Sequence, residues 1–125
     1  MAIEDDAKVV TIVDDDELMR NALLGLLKAA GLRAKVFASA EDFLDSGCQY
    51  QTACLIADIR MPGLSGLELQ ARLNADNCRI PTIFITAHGG TKTRMEALRA
   101  GAVEFLTKPF DNAVLLRHVR AAIEK

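Results

Sequence analysis

The sequence contains no tryptophan, one tyrosine, three prolines and three cysteines among its 125 residues. Cys48, Cys54 and Cys78 are odd in number and form no CxxC pair. This argues against a disulfide framework and favours a reducing compartment, the cytoplasm. His88 and His118 lie at no metal-ligand spacing from the cysteines, which argues against a zinc site.

Long apolar runs and clusters of positive charge are also missing. No apolar run approaches the roughly 18 residues of a membrane span, and the first residues lack the basic and apolar regions of a signal peptide. The formal net charge is -2, so nucleic-acid binding by this segment is not expected. Half of the residues are hydrophobic. We therefore expect a single cytoplasmic domain over residues 1–125, with no membrane contact.

Short apolar runs alternate with helical patterns along the whole chain. This alternation predicts an α/β fold with a doubly wound five-stranded parallel sheet and five helices. The more polar second and fifth strands are expected at the sheet edges. The predicted strands are residues 9–13, 34–38, 53–57, 81–85 and 104–107. The predicted helices are residues 17–30, 40–45, 66–75, 91–100 and 112–124.

Four of the predicted strands end beside a residue that can handle a phosphoryl group. Because the carboxyl ends of parallel strands share one edge of the sheet, and ligands bind just outside that edge, these side chains should converge. Any one of them alone is commonly a helix cap or a solvent-facing side chain, but four such strand ends together favour a functional site. The residues are Asp14 and Asp15 after the first strand, Asp58 after the third, Thr86 after the fourth and Lys108 after the fifth.

The predicted cluster of carboxylates needs positive charge nearby. Two like charges about 4 Å apart cost about 4 kcal/mol at an effective dielectric constant near 20. Lys108 supplies one positive charge, and protonation of a carboxyl group or a divalent cation would be further routes. Oxygen-only ligands favour Mg²⁺, Mn²⁺ or Ca²⁺. Asp16 is instead predicted to cap the first helix.

Four segments resemble the receiver domain of two-component response regulators: VDDDE, ADIRMPGLSGLEL, ITAHGG and AGAVEFLTKPF. The resemblance covers residues 8–125 and is strongest for receivers of the nitrogen-fixation regulator type, which are usually attached to a helix-turn-helix output domain. It implies a flavodoxin-like sheet with the strand order 2-1-3-4-5. It also implies a phosphorelay protein, not a turnover enzyme, whose phosphoryl donor is a sensor histidine kinase or a phosphotransfer protein.

The resemblance also implies a role for each residue of the predicted cluster. Asp58 would be the phosphoacceptor. Asp14, Asp15 and Asp58, with the backbone carbonyl of Arg60, would hold Mg²⁺ or Mn²⁺. The remaining residues, which would bind the phosphoryl oxygens, are Thr86 and Lys108.

The edge of the pocket is predicted from position along the chain. Arg60 and His88 lie two residues beyond Asp58 and Thr86, so they should form the rim of the pocket together with Ala87. The resemblance further implies a cis bond between Lys108 and Pro109.

The resemblance places a conformational switch at Thr86 and Phe105. A phosphoryl group on Asp58 would draw the Thr86 hydroxyl toward its oxygens, and the Phe105 ring would move from solvent to the interior. This change would alter the face made by the fourth helix, the fifth strand and the last helix. The altered face, with a polar rim of Arg94, Arg99 and Glu104, would favour a homodimer or an output domain.

Two other functions are compatible with an acidic site on an α/β sheet. A haloacid-dehalogenase-type phosphatase needs a DxDx[TV] pattern after the first strand, but Leu18 stands where threonine or valine belongs. A flavodoxin-like cofactor binder would need a phosphate loop rich in serine, threonine and glycine, and three acidic residues there would repel the flavin phosphate. The chain also lacks a P-loop pattern, so ATP is not expected as the direct phosphoryl donor.

Overall fold

The computed structural model describes residues 8–87 and 89–124. Its core is one five-stranded sheet in the order β2-β1-β3-β4-β5, and all neighbouring strands are parallel. The strand order implied by the resemblance and the edge positions of the second and fifth strands are therefore confirmed. The strands are β1 (Val9–Val13), β2 (Arg33–Phe37), β3 (Thr52–Asp58), β4 (Thr82–Thr86) and β5 (Glu104–Thr107).

Helices cover both faces of the sheet, as predicted for a doubly wound fold. The helices are α1 (Glu17–Ala29), α2 (Ala40–Ser46), α3 (Gly66–Ala75), α4 (Thr91–Arg99) and α5 (Asn112–Ile123). Leu23 and Leu27 of α1 share one core with Leu115 and Val119 of α5. Helices α2, α3 and α4 pack into a second core on the opposite face, around Phe84. A short 3-10 turn, Cys48–Tyr50, precedes β3 and was not predicted.

The starts of the helices follow the local chemistry of the sequence. Asp16 accepts a hydrogen bond from the Leu18 N–H and caps α1, as predicted. Ser65 and Glu68 form a reciprocal capping box at the start of α3. Such caps satisfy N–H groups that have no partner inside the helix. They also fix where the loops from the sheet end.

Some predicted element boundaries are wrong by one residue. β3 includes Asp58 and β4 includes Thr86, whereas both residues were predicted to follow their strands. Their backbones remain in the ladder, because Asp58 pairs with Ile85 and Thr86 pairs with Thr107. Asp58 and Thr86 are therefore held by the sheet itself and not by loops. Within the described ranges, no helix is long and apolar enough to cross a membrane.

Candidate functional site

Three carboxylates meet at the carboxyl edge of β1 and β3. Asp14 directly follows β1 and is fully buried, and Asp58 ends β3 with 8% of its surface exposed. Asp15 is exposed beside them. One carboxylate oxygen from each residue lies within 4.8 Å of the other two. The sheet thus brings together the three acidic residues that the sequence analysis singled out.

Lys108 supplies the positive charge predicted at this edge. Its Nζ lies 3.2 Å from Asp58 Oδ2 and 3.5 Å from Asp14 Oδ2. The Lys108 backbone N–H donates to the carbonyl oxygen of Thr86 at 2.8 Å, which fixes the chain beyond β5 against the end of β4. The bond between Lys108 and Pro109 is cis, as predicted.

Burial and charge oppose each other in this cluster. Burial raises the pKa of Asp14 above its ordinary value, and the neighbouring Asp58 adds to this, although the Asp16 N–H and Lys108 favour the charged form. Burial disfavours the charged form of Lys108, but the two carboxylates outweigh it, so the pKa of Lys108 is raised. The ammonium is therefore kept charged by the acidic residues around it.

The donor set suits a hard divalent cation. One ammonium faces three carboxylates, so negative charge remains after Lys108 is counted. Carboxylate oxygens without histidine or cysteine ligands are the donors that Mg²⁺ prefers. The cluster of Asp14, Asp15 and Asp58 could therefore hold such an ion.

The loop after β3 runs along the acidic cluster. The Arg60 N–H donates to Asp58 Oδ1 at 3.2 Å, so the Arg60 backbone lies against the Asp58 carboxylate. Arg60 is exposed, and its place at the rim of the pocket stays a prediction. The Gly66 N–H donates to the Ile59 carbonyl at 2.8 Å, and a Cβ at Gly66 would overlap the Asp58 carbonyl oxygen. Gly66 thus lets the start of α3 approach the end of β3.

Thr86 is buried at the end of β4, one residue beyond the partner of Asp58 in the ladder. Ala87 is exposed directly after it. His88, the third residue predicted at the rim, lies outside the described residues.

The Phe105 ring is in the interior, with 3% of the residue exposed. The Gly89 backbone lies against the ring, because a Cβ at Gly89 would be 2.9 Å from Phe105 Cε1. The structure therefore contains one of the two ring positions expected for a switch. The movement between them stays a prediction.

Polar side chains connect α4, β5 and α5 on the predicted output face. Glu104 of β5 lies 3.6 Å from Arg94 of α4 and 3.3 Å from His118 of α5. Arg94 also donates to the Phe105 carbonyl at 3.1 Å. Arg94 and Glu104 were expected at the rim of this face, whereas the contribution of His118 was missed.

Two further contacts near the site were missed by the sequence analysis. Arg20 of α1 donates through Nη1 to the Asp14 carbonyl at 2.9 Å. Glu41 of α2 accepts a hydrogen bond from the Leu64 N–H at 2.9 Å. Neither residue belongs to a motif that we considered, and the Glu41 contact joins residues 23 positions apart. Reasoning from the ends of strands finds residues on the sheet, but it does not find helix residues that contact the site or the loop beside it.

Comparison with known proteins identifies the class. The model of the response regulator receiver domain matches residues 10–120. Transcriptional regulatory protein FixJ of Azorhizobium caulinodans is 42% identical over 91% of this chain and 54% of its own length. Nodulation protein W of Bradyrhizobium diazoefficiens is 44% identical over 94% of this chain and 52% of its own. The crystal structure of FixJ-N superposes with a TM-score of 0.85 at 39% identity, covering 94% of both chains.

The fold and the site thus define a two-component signalling module with an acidic pocket at the carboxyl edge of a five-stranded sheet. The chain belongs to the response regulator receiver domain family. It spans about half the length of the curated relatives described above. The comparisons give no support to the phosphatase alternative, since the matching family model is that of the response regulator receiver domain and the FixJ relative is a transcriptional regulatory protein.

Proposed function

We propose that this receiver accepts a phosphoryl group on Asp58 in the presence of Mg²⁺ and transmits the change to an output domain or partner. The observation that carries the proposal is the pairing of Asp58 Oδ2 with Lys108 Nζ at 3.2 Å, inside a cluster of three carboxylates. Carboxylates repel one another and are usually kept apart in a fold. A site that holds three of them beside one ammonium is therefore suited to a ligand of multiple charge.

Phosphoryl transfer here would be a simple displacement. A carboxylate oxygen of Asp58 attacks the phosphorus of a phosphohistidine donor, and the P–N bond breaks as the P–O bond forms. The products are an aspartyl phosphate and a histidine whose imidazole takes up a proton. Lys108 stays charged, because its pKa is raised, and is close enough to stabilise negative charge on the transferred group. Positioning and charge stabilisation supply most of what this reaction requires.

The residues of the cluster fit the metal that this chemistry needs. Asp14, Asp15, Asp58 and the backbone carbonyl of Arg60 would hold Mg²⁺, with Mn²⁺ as a substitute. When bound, the ion would neutralise charge on the phosphoryl oxygens. Arg20 supports Asp14 by donating to its carbonyl, so the first ligand is fixed through its backbone as well as by burial.

The partners follow from the family. We propose a cytoplasmic sensor histidine kinase or phosphotransfer protein as the donor. The names of the relatives describe transcriptional regulation, so we propose a transcriptional output domain or a phosphorylation-dependent homodimer as the receiver of the signal. Neither requires nucleic-acid contact by this segment.

The phosphoacceptor can be tested with a small acyl phosphate in place of the kinase. Incubation with Mg²⁺ should add one phosphate to the wild type, and Asp58→Asn should abolish the addition. Asp45→Asn is a matched control, because Asp45 is an exposed acidic residue of α2 and the variant should be phosphorylated like the wild type. Phosphate on Asp58→Asn would contradict the assignment.

The metal site can be tested by its effect on thermal stability. Mg²⁺ should raise the melting temperature of the wild type, because a ligand that binds only the folded state stabilises it by mass action. Asp15→Ala removes an exposed carboxylate and should weaken Mg²⁺ binding by about tenfold or more without unfolding the protein. Calorimetry is the suitable method, since the chain has no tryptophan. Undiminished binding by Asp15→Ala would refute the ligand set.

A further inference from the structure

The loop between Asp58 and α3 is tied to the rest of the molecule at both of its ends. At its start, the Ile59 carbonyl accepts from the Gly66 N–H at 2.8 Å. At its far end, the Leu64 N–H donates to Glu41 Oε2 of α2 at 2.9 Å. Arg60 lies between these two ties, and its N–H points to Asp58 Oδ1. The position of the Arg60 backbone therefore depends on how firmly both ends are held.

Glu41 reaches the loop through a space that is open because residue 63 is a glycine. Gly63 has a φ of +77°, a conformation that glycine adopts readily. A Cβ at this position would overlap Glu41 Oε2. The other carboxylate oxygen, Oε1, is shielded from solvent. The side chain is thus fitted into the loop and not simply exposed on the first turn of α2.

The charge of Glu41 is favoured by the same contact. The Leu64 N–H, with smaller help from Arg72 of α3, holds the pKa of Glu41 below its usual range. A charged acceptor makes a stronger hydrogen bond than a neutral one. The tie between α2 and the loop is therefore a charge-assisted bond to the main chain.

We propose that Glu41 is a positioning residue for the metal site, which it serves by holding the 59–65 loop so that the Arg60 backbone carbonyl can act as a ligand. This inference rests on the proposed function, since it assigns Glu41 to the same site. Glu41 contacts no residue of the acidic cluster in the described structure. Its effect passes through the backbone from Leu64 to Arg60, as outer residues do when they orient metal ligands.

The test compares Mg²⁺ affinity among four proteins by calorimetric or NMR titration. Glu41→Ala removes the acceptor and should weaken binding by about tenfold. Glu41→Gln keeps an acceptor oxygen at the same reach and should remain within about threefold of the wild type. Asp42→Ala is the matched control, because Asp42 is the neighbouring acidic residue of α2, is exposed and contributes only its backbone N–H to a described hydrogen bond. It should bind like the wild type.

A second measurement separates positioning from loss of structure. Phosphorylation of Glu41→Ala by a small acyl phosphate should be slow at low Mg²⁺ and should recover at saturating Mg²⁺. A slow phosphorylation rate that saturating Mg²⁺ does not restore would overturn the proposal. Equal losses of Mg²⁺ affinity in Glu41→Ala and Asp42→Ala would also overturn it. The same holds if Glu41→Gln binds Mg²⁺ as weakly as Glu41→Ala. If Glu41→Ala binds Mg²⁺ with the affinity of the wild type, the role of Glu41 is overturned and the proposed metal site is unaffected. Absence of Mg²⁺ binding by the wild type would overturn the metal site, and this proposal with it.

Discussion

Asp14 is the residue at which burial and charge conflict most directly. It is fully buried, lies beside Asp58, and has only Lys108 and the Asp16 N–H to favour its charged form. Burial of a carboxylate that is incompletely paired opposes folding. We therefore expect the residue to lower the stability of the metal-free protein, and the proposed metal binding would account for its presence.

This conflict predicts how stability depends on pH. A carboxyl group whose pKa is raised on folding gives its full contribution to stability below the ordinary value of 3.8, and that contribution is lost as pH rises through the folded-state pKa. Asp14→Asn has no carboxyl group to ionise at this position, so the variant does not lose this stability as pH rises. In metal-free buffer the variant should match the wild type at acidic pH and become increasingly more stable as pH rises toward neutrality. Urea unfolding across this range would measure the difference.

The matching control is Asp45→Asn, which removes an exposed carboxylate that lies away from the cluster. Its stability relative to the wild type should stay level over the same range. A stability difference between Asp14→Asn and the wild type that stays level, or that falls with rising pH, would contradict the conflict inferred here.

Lys108 has the opposite charge, but its stability contribution changes with pH in the same direction. Its pKa is raised from 10.5, so its stabilisation persists at neutral pH and is lost only in strong alkali.

The sequence predicted the residues of this cluster because each of them stands at the end of a strand. Asp14, Asp58 and Lys108 could be placed together from the geometry of parallel sheets alone. Arg20 and Glu41 could not, because each extends from a packed helix, Arg20 to the Asp14 backbone and Glu41 to the loop after β3. Their directions depend on tertiary packing, which spacing along the chain does not contain.

At the level of elements, the contact between β3 and α3 sets the geometry of Asp58, the proposed phosphoacceptor. A Cβ at Gly66 would overlap the Asp58 carbonyl oxygen and lie 3.0 Å from Phe84 Cε1. The neighbouring atoms are backbone and a buried ring, so they have little freedom to move. Gly66 is therefore required by close approach and not by its backbone angles.

Gly66→Ala should destabilise the fold by about 1–3 kcal/mol, as overpacking does in well-packed cores. It should also disturb Asp58, so phosphorylation should fall together with stability. Gly25→Ala is the matched control: a Cβ at this position in α1 meets no atom within 4 Å, and alanine favours a helix over glycine by about 0.5–1 kcal/mol. Chemical denaturation should therefore shift the two variants in opposite directions. Equal or reversed shifts would show that the contact at Gly66 is unimportant.

Element boundaries show where local sequence signals are sufficient. The cap Asp16 was predicted correctly, because a helix start depends on residues within one turn. The 3-10 turn at Cys48–Tyr50 was missed, and the strands containing Asp58 and Thr86 were predicted to end one residue too early. The ends of those strands depend on hydrogen bonds to a neighbouring strand, and the predicted site residues looked like the first residues of loops.

At the level of the whole molecule, the proposed output face is joined to the proposed phosphoacceptor through β4 and β5. Thr86 ends β4, and its carbonyl accepts from Lys108 just after β5. Phe105 lies in the same strand as Glu104, which contacts both α4 and α5. A change at Thr86 therefore has a short path to the surface.

We expect a phosphoryl mimic such as beryllofluoride to change NMR chemical shifts at Phe105 and along α4 as well as in the pocket. It should also promote self-association detectable by sedimentation, if the switch acts as proposed. A ligand shifts such an equilibrium only by its difference in affinity for the two states. Asp58→Asn treated in the same way is the control and should show neither effect. Shifts confined to the pocket of the wild type, with unchanged sedimentation, would contradict the switch.

The placement of β5 at the sheet edge has a consequence for how the molecule can move. An edge strand has one neighbour, so rearranging β5 disturbs one ladder, whereas rearranging β1, β3 or β4 would disturb two. Local opening free energies generally differ across a fold in this way. Amide hydrogens of the three central strands should exchange with deuterium only on global unfolding, while those of β5 and α4 exchange through smaller openings. Under the proposed function, the periphery of the molecule would carry the signal, while the acidic residues that receive it would stay on a rigid platform.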